Sequence, residues 1–206
     1  MSDAQKHWEQ IYTTKQPSSV SWYQPHLERS LELIDRAGIG PDDRLIDVGG
    51  GASTLVDDLL DRGFRHVAVL DLSQRALEVS KGRLGERASR VEWIAGDVLT
   101  AELPRAQYML WHDRAVFHFL TQEEDRLHYL RQMRHALRPG GYALVSTFAP
   151  GGPQKCSGLE VCRYSSETLL SKLGRDFSLA ASANENHRTP AGAIQAFQYA
   201  LLSYSG

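Results

Sequence analysis

The chain reads as an α/β protein: a mostly parallel sheet covered by helices on both faces and closed at its C-terminal end by an antiparallel hairpin. Three observations predict it. From residue 44 onward, short apolar strand-like runs alternate with stretches of helical periodicity, the pattern of parallel strands joined by crossover helices. The first such run, Arg44-Leu-Ile-Asp-Val48, leads straight into Gly49-Gly-Gly51 and a helix start, a junction typical of nucleotide-type ligand sites. In the last fifth two strand-like runs follow each other with no helix between them, which marks a hairpin.

The elements follow in order. Leu45, Ile46 and Val48 make the first strand; Ser53 is placed to cap a helix over Thr54 to Arg62, which Gly63 stops. His66 to Leu70 is the second strand, ending at Asp71, and Ser73 caps a helix that turns Ala76, Leu77, Val79 and Leu84 inward and ends near Gly85. Arg90 to Ala95 is the third strand, running into Gly96-Asp97, and Tyr108 to Trp111 the fourth. From about Gln122 to Leu137 an amphipathic helix sets Leu127, Leu130, Met133 or Arg134, and Leu137 at helical spacing until Pro139-Gly-Gly141 breaks it, and Tyr142 to Phe148 is the fifth strand. A helix over Ser166 to Leu173 precedes the hairpin of Phe177 to Ala183 and Ala193 to Leu202. Residues 1–40 read as two helices joined by a Thr13-to-Ser21 loop, a lid over a ligand-binding core at 41–150; residues 151–206 supply a substrate-side loop, helix and closing hairpin, all within one domain.

Composition narrows the function. With 206 residues, 42% hydrophobic and 23% charged, the chain has enough apolar residues for one substantial core, and a formal charge of −2 gives no electrostatic bias toward nucleic acid or an anionic membrane. The start, Met-Ser-Asp-Ala-Gln-Lys-His-Trp-Glu, lacks a signal-peptide apolar region, and no run approaches the roughly 18 apolar residues of a membrane span, so a cytoplasmic protein is expected. Cys156 and Cys162 are too few for a disulfide framework and lack further ligands at zinc spacing, so reduced thiols and no metal are expected.

The glycine loop is more specific than its glycines. Asp47 precedes them as Asp47-x-Gly49-x-Gly51, whereas the dinucleotide fingerprint wants Gly-x-Gly-x-x-Gly and the third glycine position here is Thr54. A carboxylate at that point repels a pyrophosphate and suits a cofactor carrying an amino group. The loop therefore resembles the first motif of class I S-adenosylmethionine (SAM) dependent methyltransferases. That resemblance implies a Rossmann-like sheet of seven strands, SAM as cofactor and methyl transfer as the activity. Asp71, with Leu72 beside it, stands where a carboxylate accepts hydrogen bonds from ribose hydroxyls, or else where an acid favours the next helix N-terminus. Asp97 is placed to meet the adenine amino group, with the Val98 N–H adjacent, or to form a turn. Asp47 either contacts the cofactor or braces Gly49 and Gly51. Trp8-Glu9-x-x-Tyr12 followed by Ser21-Trp22-Tyr23 resembles the N-terminal signature of several methyltransferase groups, among them lysine methyltransferases acting on elongation factor and thiol methyltransferases, where it closes over the cofactor. Trp8, Ile11 and Tyr12 also fit the apolar stripe of a helix; Tyr12 and Trp22 are assigned to cofactor contact.

Two segments carry the substrate-side expectations. Trp111-His-Asp-Arg-Ala-Val-Phe-His-Phe-Leu120 follows the fourth strand at the carboxyl edge of the sheet, where open α/β sheets bind ligands. It is not the Asn/Asp-Pro-Pro-Tyr/Phe of amino-group DNA and glutamine methylases. His112, which is also a candidate cofactor contact, Arg114 and His118 are candidate catalytic groups; the alternatives are packing histidines and an Asp113–Arg114 ion pair. The loop from Phe148 to Tyr164 adds Cys156, Cys162 and Arg163, with Cys156 and Arg163 as further catalytic candidates and buried packing as the alternative for the thiols. Phe117, Phe119 and Phe148 suggest a small or apolar acceptor. His187-Arg-Thr-Pro190 is expected at the hairpin tip, exposed or folded back toward the site. The expected function is methyl transfer to a small-molecule acceptor, a thiol or other soft nucleophile, by a monomer or homodimer. A protein lysine methyltransferase, a SAM-binding module without catalysis and a nicotinamide oxidoreductase are the alternatives.

Overall fold

The computed structural model describes residues 1–206. Two helices, α1 (Asp3–Thr14) and α2 (Glu28–Arg36), precede the sheet. Then come β1 (Arg44–Val48), α3 (Leu55–Asp61), β2 (His66–Asp71), α4 (Gln74–Leu84), β3 (Val91–Ala95), β4 (Tyr108–Arg114), α5 (Glu123–Ala136) and β5 (Leu137–Phe148). A small ribbon of β6 (Lys155–Cys156) and β7 (Leu159–Glu160), helix α6 (Ser166–Leu173), and the long strands β8 (Phe177–Arg188) and β9 (Ile194–Tyr204) complete the chain.

The main sheet has seven strands in the order β3-β2-β1-β4-β5-β9-β8; the first five pair in parallel, and β9 pairs antiparallel with both β5 and β8, as the alternation and the terminal hairpin predict. β1 and β4 lie side by side at its centre, where the strand order reverses, so the loops leaving their carboxyl ends diverge and open a crevice. Successive residues of each strand serve opposite cores. Leu45, Val67, Val69, Leu110 and Leu144 pack with α2, α3 and α4 on one face; Ile46, Ala68, Leu70, Trp111 and Val145 pack with α5 and α6 on the other. No helix is long and apolar enough to cross a membrane.

Four departures from the sequence expectation matter. β4 continues past Trp111 through His112, Asp113 and Arg114, because it is paired on both sides: Asp47 faces His112 across β1, and Ser146 faces Arg114 across β5. The Pro139-Gly140-Gly141 breaker sits inside the β5 range as a bulge: Leu137 already pairs with Tyr108, and regular pairing resumes at Tyr142. In α5 Leu127 is exposed, and Tyr129 takes an inward place; in α4 the inward side chain is Ser80 rather than Val79. β8 runs on to Arg188, so His187 is a buried strand residue held against the N-terminal segment rather than an exposed turn; its Nε2 lies 2.7 Å from the Ser21 carbonyl.

Candidate active site

The crevice is an elongated cavity of about 440 Å³ at the carboxyl edge of β1, β2, β3 and β4, with a side cavity of about 50 Å³. Tyr12, Trp22, Gly49 and Arg114 line both.

Gly49 turns the chain out of β1 with φ +69°, a left-handed conformation that disfavours a side chain. A Cβ there would also run into Val116 Cγ2, so the bare backbone is what keeps this wall open. Gly51 lines neither cavity: it is buried, and a Cβ would meet Asp71 Oδ2 and Ala76 Cβ. Its predicted cofactor contact gives way to a packing role, letting the loop lie against β2 and α4.

Asp71 ends β2 and lines the large cavity. Its Oδ1 accepts the Ser73 amide at 2.7 Å, so the carboxylate braces the helix start and also faces the cavity. Burial pushes its pKa up to about 7, with Asp47 adding to the rise and the Ser73 amide opposing it. Leu72, Asp97 and Val98 line the same end of the cavity, and Asp97 Oδ1 also accepts the Leu99 amide at 2.9 Å. Tyr12 and Trp22 form an edge-on pair at the opposite side, with Trp22 Nε1 donating to Tyr12 Oη at 3.3 Å. Burial and the neighbouring Asp71 carboxylate hold the Tyr12 hydroxyl protonated, its pKa pushed well up. Trp8 contacts both Trp22 and Phe119 edge-on, and lines the cavity. Glu9, between them in the lid motif, reaches α4 instead: its carboxylate accepts the Gln74 amide at 2.7 Å and the Arg75 amide at 3.3 Å, capping that helix from another element.

Asp47 is 3% exposed and lines only the side cavity. Its Oδ1 lies 2.6 Å from His112 Nδ1, and its Oδ2 is buried without a partner. The other nitrogen of His112, Nε2, lies 2.9 Å from Ser30 Oγ. Both imidazole nitrogens are therefore engaged inside the protein, and His112 does not serve as a free base toward a substrate.

The remaining catalytic candidates separate. Arg114 lines both cavities and is held from three sides: Nε donates to Tyr199 Oη at 3.1 Å, Nη1 to the Trp22 carbonyl at 3.0 Å, and the guanidinium stands 4.7 Å from the Phe197 ring centre. Its Nη2 is left unpartnered. Tyr199 in turn donates to Glu185 Oε2 at 2.7 Å, and Gln24 Nε2 bridges Glu185 Oε1 and His187 Nδ1 at 2.8 and 3.1 Å. This network, absent from the sequence expectations, ties the N-terminal segment to the terminal hairpin around Arg114. The Asp113–Arg114 ion pair does not form. Asp113 points to the other face, where it accepts the Val116 and Phe117 amides and the Tyr129 hydroxyl.

His118 is fully buried between Phe119 and Phe148 and lies off the cavity; desolvation, with the Arg114 charge, pushes its pKa down to about 3. It is a neutral packing histidine. Arg163 is exposed, donating to the Gly152 carbonyl at 3.2 Å outside the cavity, and Cys162 lies off the cavity too. Neither belongs to the site. Cys156 does line the cavity, but burial pushes its pKa up to about 12 against the lowering effect of Arg114, so it is a thiol and not a nucleophilic thiolate. Of the three phenylalanines only Phe119 reaches the cavity; Phe117 and Phe148 are core residues. Phe197 on β9, which sequence reading did not single out, supplies the missing aromatic wall.

Comparison with known proteins agrees with this architecture. A family model described as a methyltransferase domain matches residues 45–141, from the first residues of β1 to the start of regular β5 pairing. Among curated proteins, the mouse eEF1A lysine and N-terminal methyltransferase is 25% identical over 138 residues, covering 67% of this chain and 19% of the relative; the chain thus spans about a fifth of that protein's length. Among solved structures, a SAM-dependent methyltransferase from Anabaena variabilis superposes with a TM-score of 0.73 at 18% identity, covering 99% of this chain and 96% of that one. The Burkholderia thailandensis 1,6-didemethyltoxoflavin-N1-methyltransferase, solved with its substrate and S-adenosylhomocysteine, gives a TM-score of 0.71 at 18% identity, covering 98% and 88%. The structural matches speak for the fold, and the family model for the loop and strands that carry Asp47, Asp71 and Asp97. Together they identify residues 45–141 as a methyltransferase domain of the class I, SAM-dependent kind, set in the matching fold.

Proposed function

We propose that the protein transfers the methyl group of SAM to a small, largely apolar acceptor through a soft nucleophile, a thiol being the first case. The observation that carries this reading is the make-up of the large cavity beyond Gly49. Trp8, Trp22, Phe119 and Phe197 are its apolar walls, Cys156 is an uncharged thiol, and Arg114 is the one Lys, Arg or His side chain lining it.

SAM supplies an electrophilic methyl group on a sulfonium. Asp71 would accept its ribose hydroxyls, Asp97 and the Val98 amide would meet the adenine edge, and Leu72 would pack beside the base. Asp47, with its free Oδ2, fits the amino group of the methionine end, and Tyr12 and Trp22 offer aromatic faces to the sulfonium. In the displacement the acceptor's lone pair forms the bond to the methyl carbon, while the C–S pair returns to sulfur and leaves S-adenosylhomocysteine. Alignment and desolvation are the main requirements, with the reacting atoms about 3 Å apart. With His112 and His118 both unavailable as bases, the acceptor has to reach the site already deprotonated or lose its proton easily. The unpartnered Arg114 nitrogen favours such an anion and opposes a lysine ammonium.

Lysine methylation remains the second reading because of the match to the mouse eEF1A methyltransferase and because the Glu160 carboxylate lies among the cavity-lining groups. Incubation with methyl-labelled SAM and a panel of thiols, amines and intact elongation factor separates the two. Label is expected in low-mass thiols; label confined to protein would overturn the small-acceptor reading, and no S-adenosylhomocysteine from any acceptor would leave a SAM-binding module.

A further inference from the structure

We propose that Ser30, His112 and Asp47 form a positioning chain through which helix α2 holds the Asp47 carboxylate for the amino group of the cofactor; the inference rests on the SAM reading above. Asp47 and His112 are register partners on the adjacent parallel strands β1 and β4, so their side chains leave the sheet together on the face covered by α2. Ser30, one turn into α2, meets them there. All three are at least 97% buried. Three buried polar side chains are costly unless hydrogen-bonded, and here every side-chain polar atom of the three is engaged except one. The assignment that serves each member has the Ser30 hydroxyl donating to His112 Nε2 and the imidazole Nδ1–H donating to Asp47 Oδ1.

The exception is Asp47 Oδ2, buried and unpartnered beside Gly50, where a Cβ would occupy its place. Asp47, His112, Gly49 and Gly50 line the side cavity of about 50 Å³, which has room for an ammonium-sized group rather than a nucleoside. A carboxylate free to rotate would meet such a cation poorly. Fixing Oδ1 through a histidine, and the histidine's tautomer through a serine, leaves Oδ2 as the one acceptor with a defined direction. His112 and Ser30 are thus positioning residues, acting through the Asp47 carboxylate. Since Ser30 belongs to α2, the second helix of the N-terminal segment, docking of α2 and a competent cofactor site become one event.

The test compares two ligands by calorimetry: SAM, and 5′-methylthioadenosine, which keeps the nucleoside and thioether but lacks the amino-acid end. Wild-type protein binds both. Ser30→Ala and His112→Leu are expected to weaken SAM on the order of tenfold while leaving methylthioadenosine within about twofold. His112→Asn, whose amide N–H can stand where Nδ1–H stood, restores SAM affinity. If His112→Leu fails to fold, Ser30→Ala and His112→Asn carry the comparison. Equal losses for both ligands, or undiminished SAM affinity in folded Ser30→Ala, would overturn the chain. Wild-type protein that binds neither ligand would instead overturn the SAM reading on which it rests.

Discussion

Asp71 shows how burial sets the behaviour of a single residue here. Its carboxyl sits in low-dielectric surroundings, and its pKa stands at about 7 against 3.8 for a free side chain. Because the folded pKa is the higher one, the native state holds the proton more tightly than the unfolded chain. The associated stability is fully present below about pH 4 and is lost as pH rises through 7. Denaturant melts of the ligand-free protein should therefore show a decline across this window that Asp71→Asn flattens. Affinity for SAM should move oppositely in wild type, rising toward pH 7 as the charged acceptor for the ribose forms; a flat profile would remove Asp71 from the ribose. Arg114→Gln keeps amide donors but no charge, and is expected to lower kcat/KM for a thiol acceptor on the order of tenfold with a smaller change in SAM affinity. Asp71, Asp97 and Arg114 were legible in the sequence because a strand end fixes where a residue stands. For His112 and His118 the sequence left base and packing histidine open, and it did not place Arg163 outside the cavity, because such roles depend on which neighbours occupy the nitrogens. Ser30 has no sequence signal at all: a serine inside an amphipathic helix is unremarkable until β4 places His112 beneath it.

At the level of elements, α1 and the glycine loop carry the consequences. α1 is docked through the Glu9 carboxylate on two amides of α4 and through the Trp8 and Tyr12 contacts with Trp22. Glu9→Ala removes the cap and leaves two helix-start amides to water, which costs about 1 kcal/mol. Amides of α1 should exchange faster, and bound SAM should dissociate faster; unchanged exchange would show that the aromatic contacts alone hold the lid. Gly49→Ala demands both a left-handed alanine and space that Val116 occupies. Loss of SAM binding with a lowered Tm is expected, and Gly63→Ala, also at positive φ but with open space around it, is the control that isolates the clash from the backbone strain. Strand and helix order was readable from periodicity. The ends of β4 and β8 were not, because polar residues such as His112 to Arg114 and Asn184 to Arg188 extend a strand only when a paired neighbour satisfies their backbone groups.

For the molecule as a whole, ligand binding should read out as stability. If SAM binds the folded chain alone, a concentration of a hundred times Kd adds about 2.7 kcal/mol, so thermal shift should rise with SAM or S-adenosylhomocysteine and stay flat with NAD. A shift with NAD alone would return the site to the dinucleotide class that Asp47 argues against. The sequence by itself determined the α/β class, the parallel sheet with its closing hairpin, and the identity of the cofactor loop, since hydrophobic period and glycine placement are local properties of the chain. Tertiary structure alone decided which polar residues share the cavity. Strand register set Asp47 beside His112, packing withdrew His118 and Cys162 from it, and β9 brought Phe197 and Tyr199 around Arg114. The physical reason is that a side chain's chemistry depends on its solvent and its hydrogen-bond partners, and those come from residues far away in sequence.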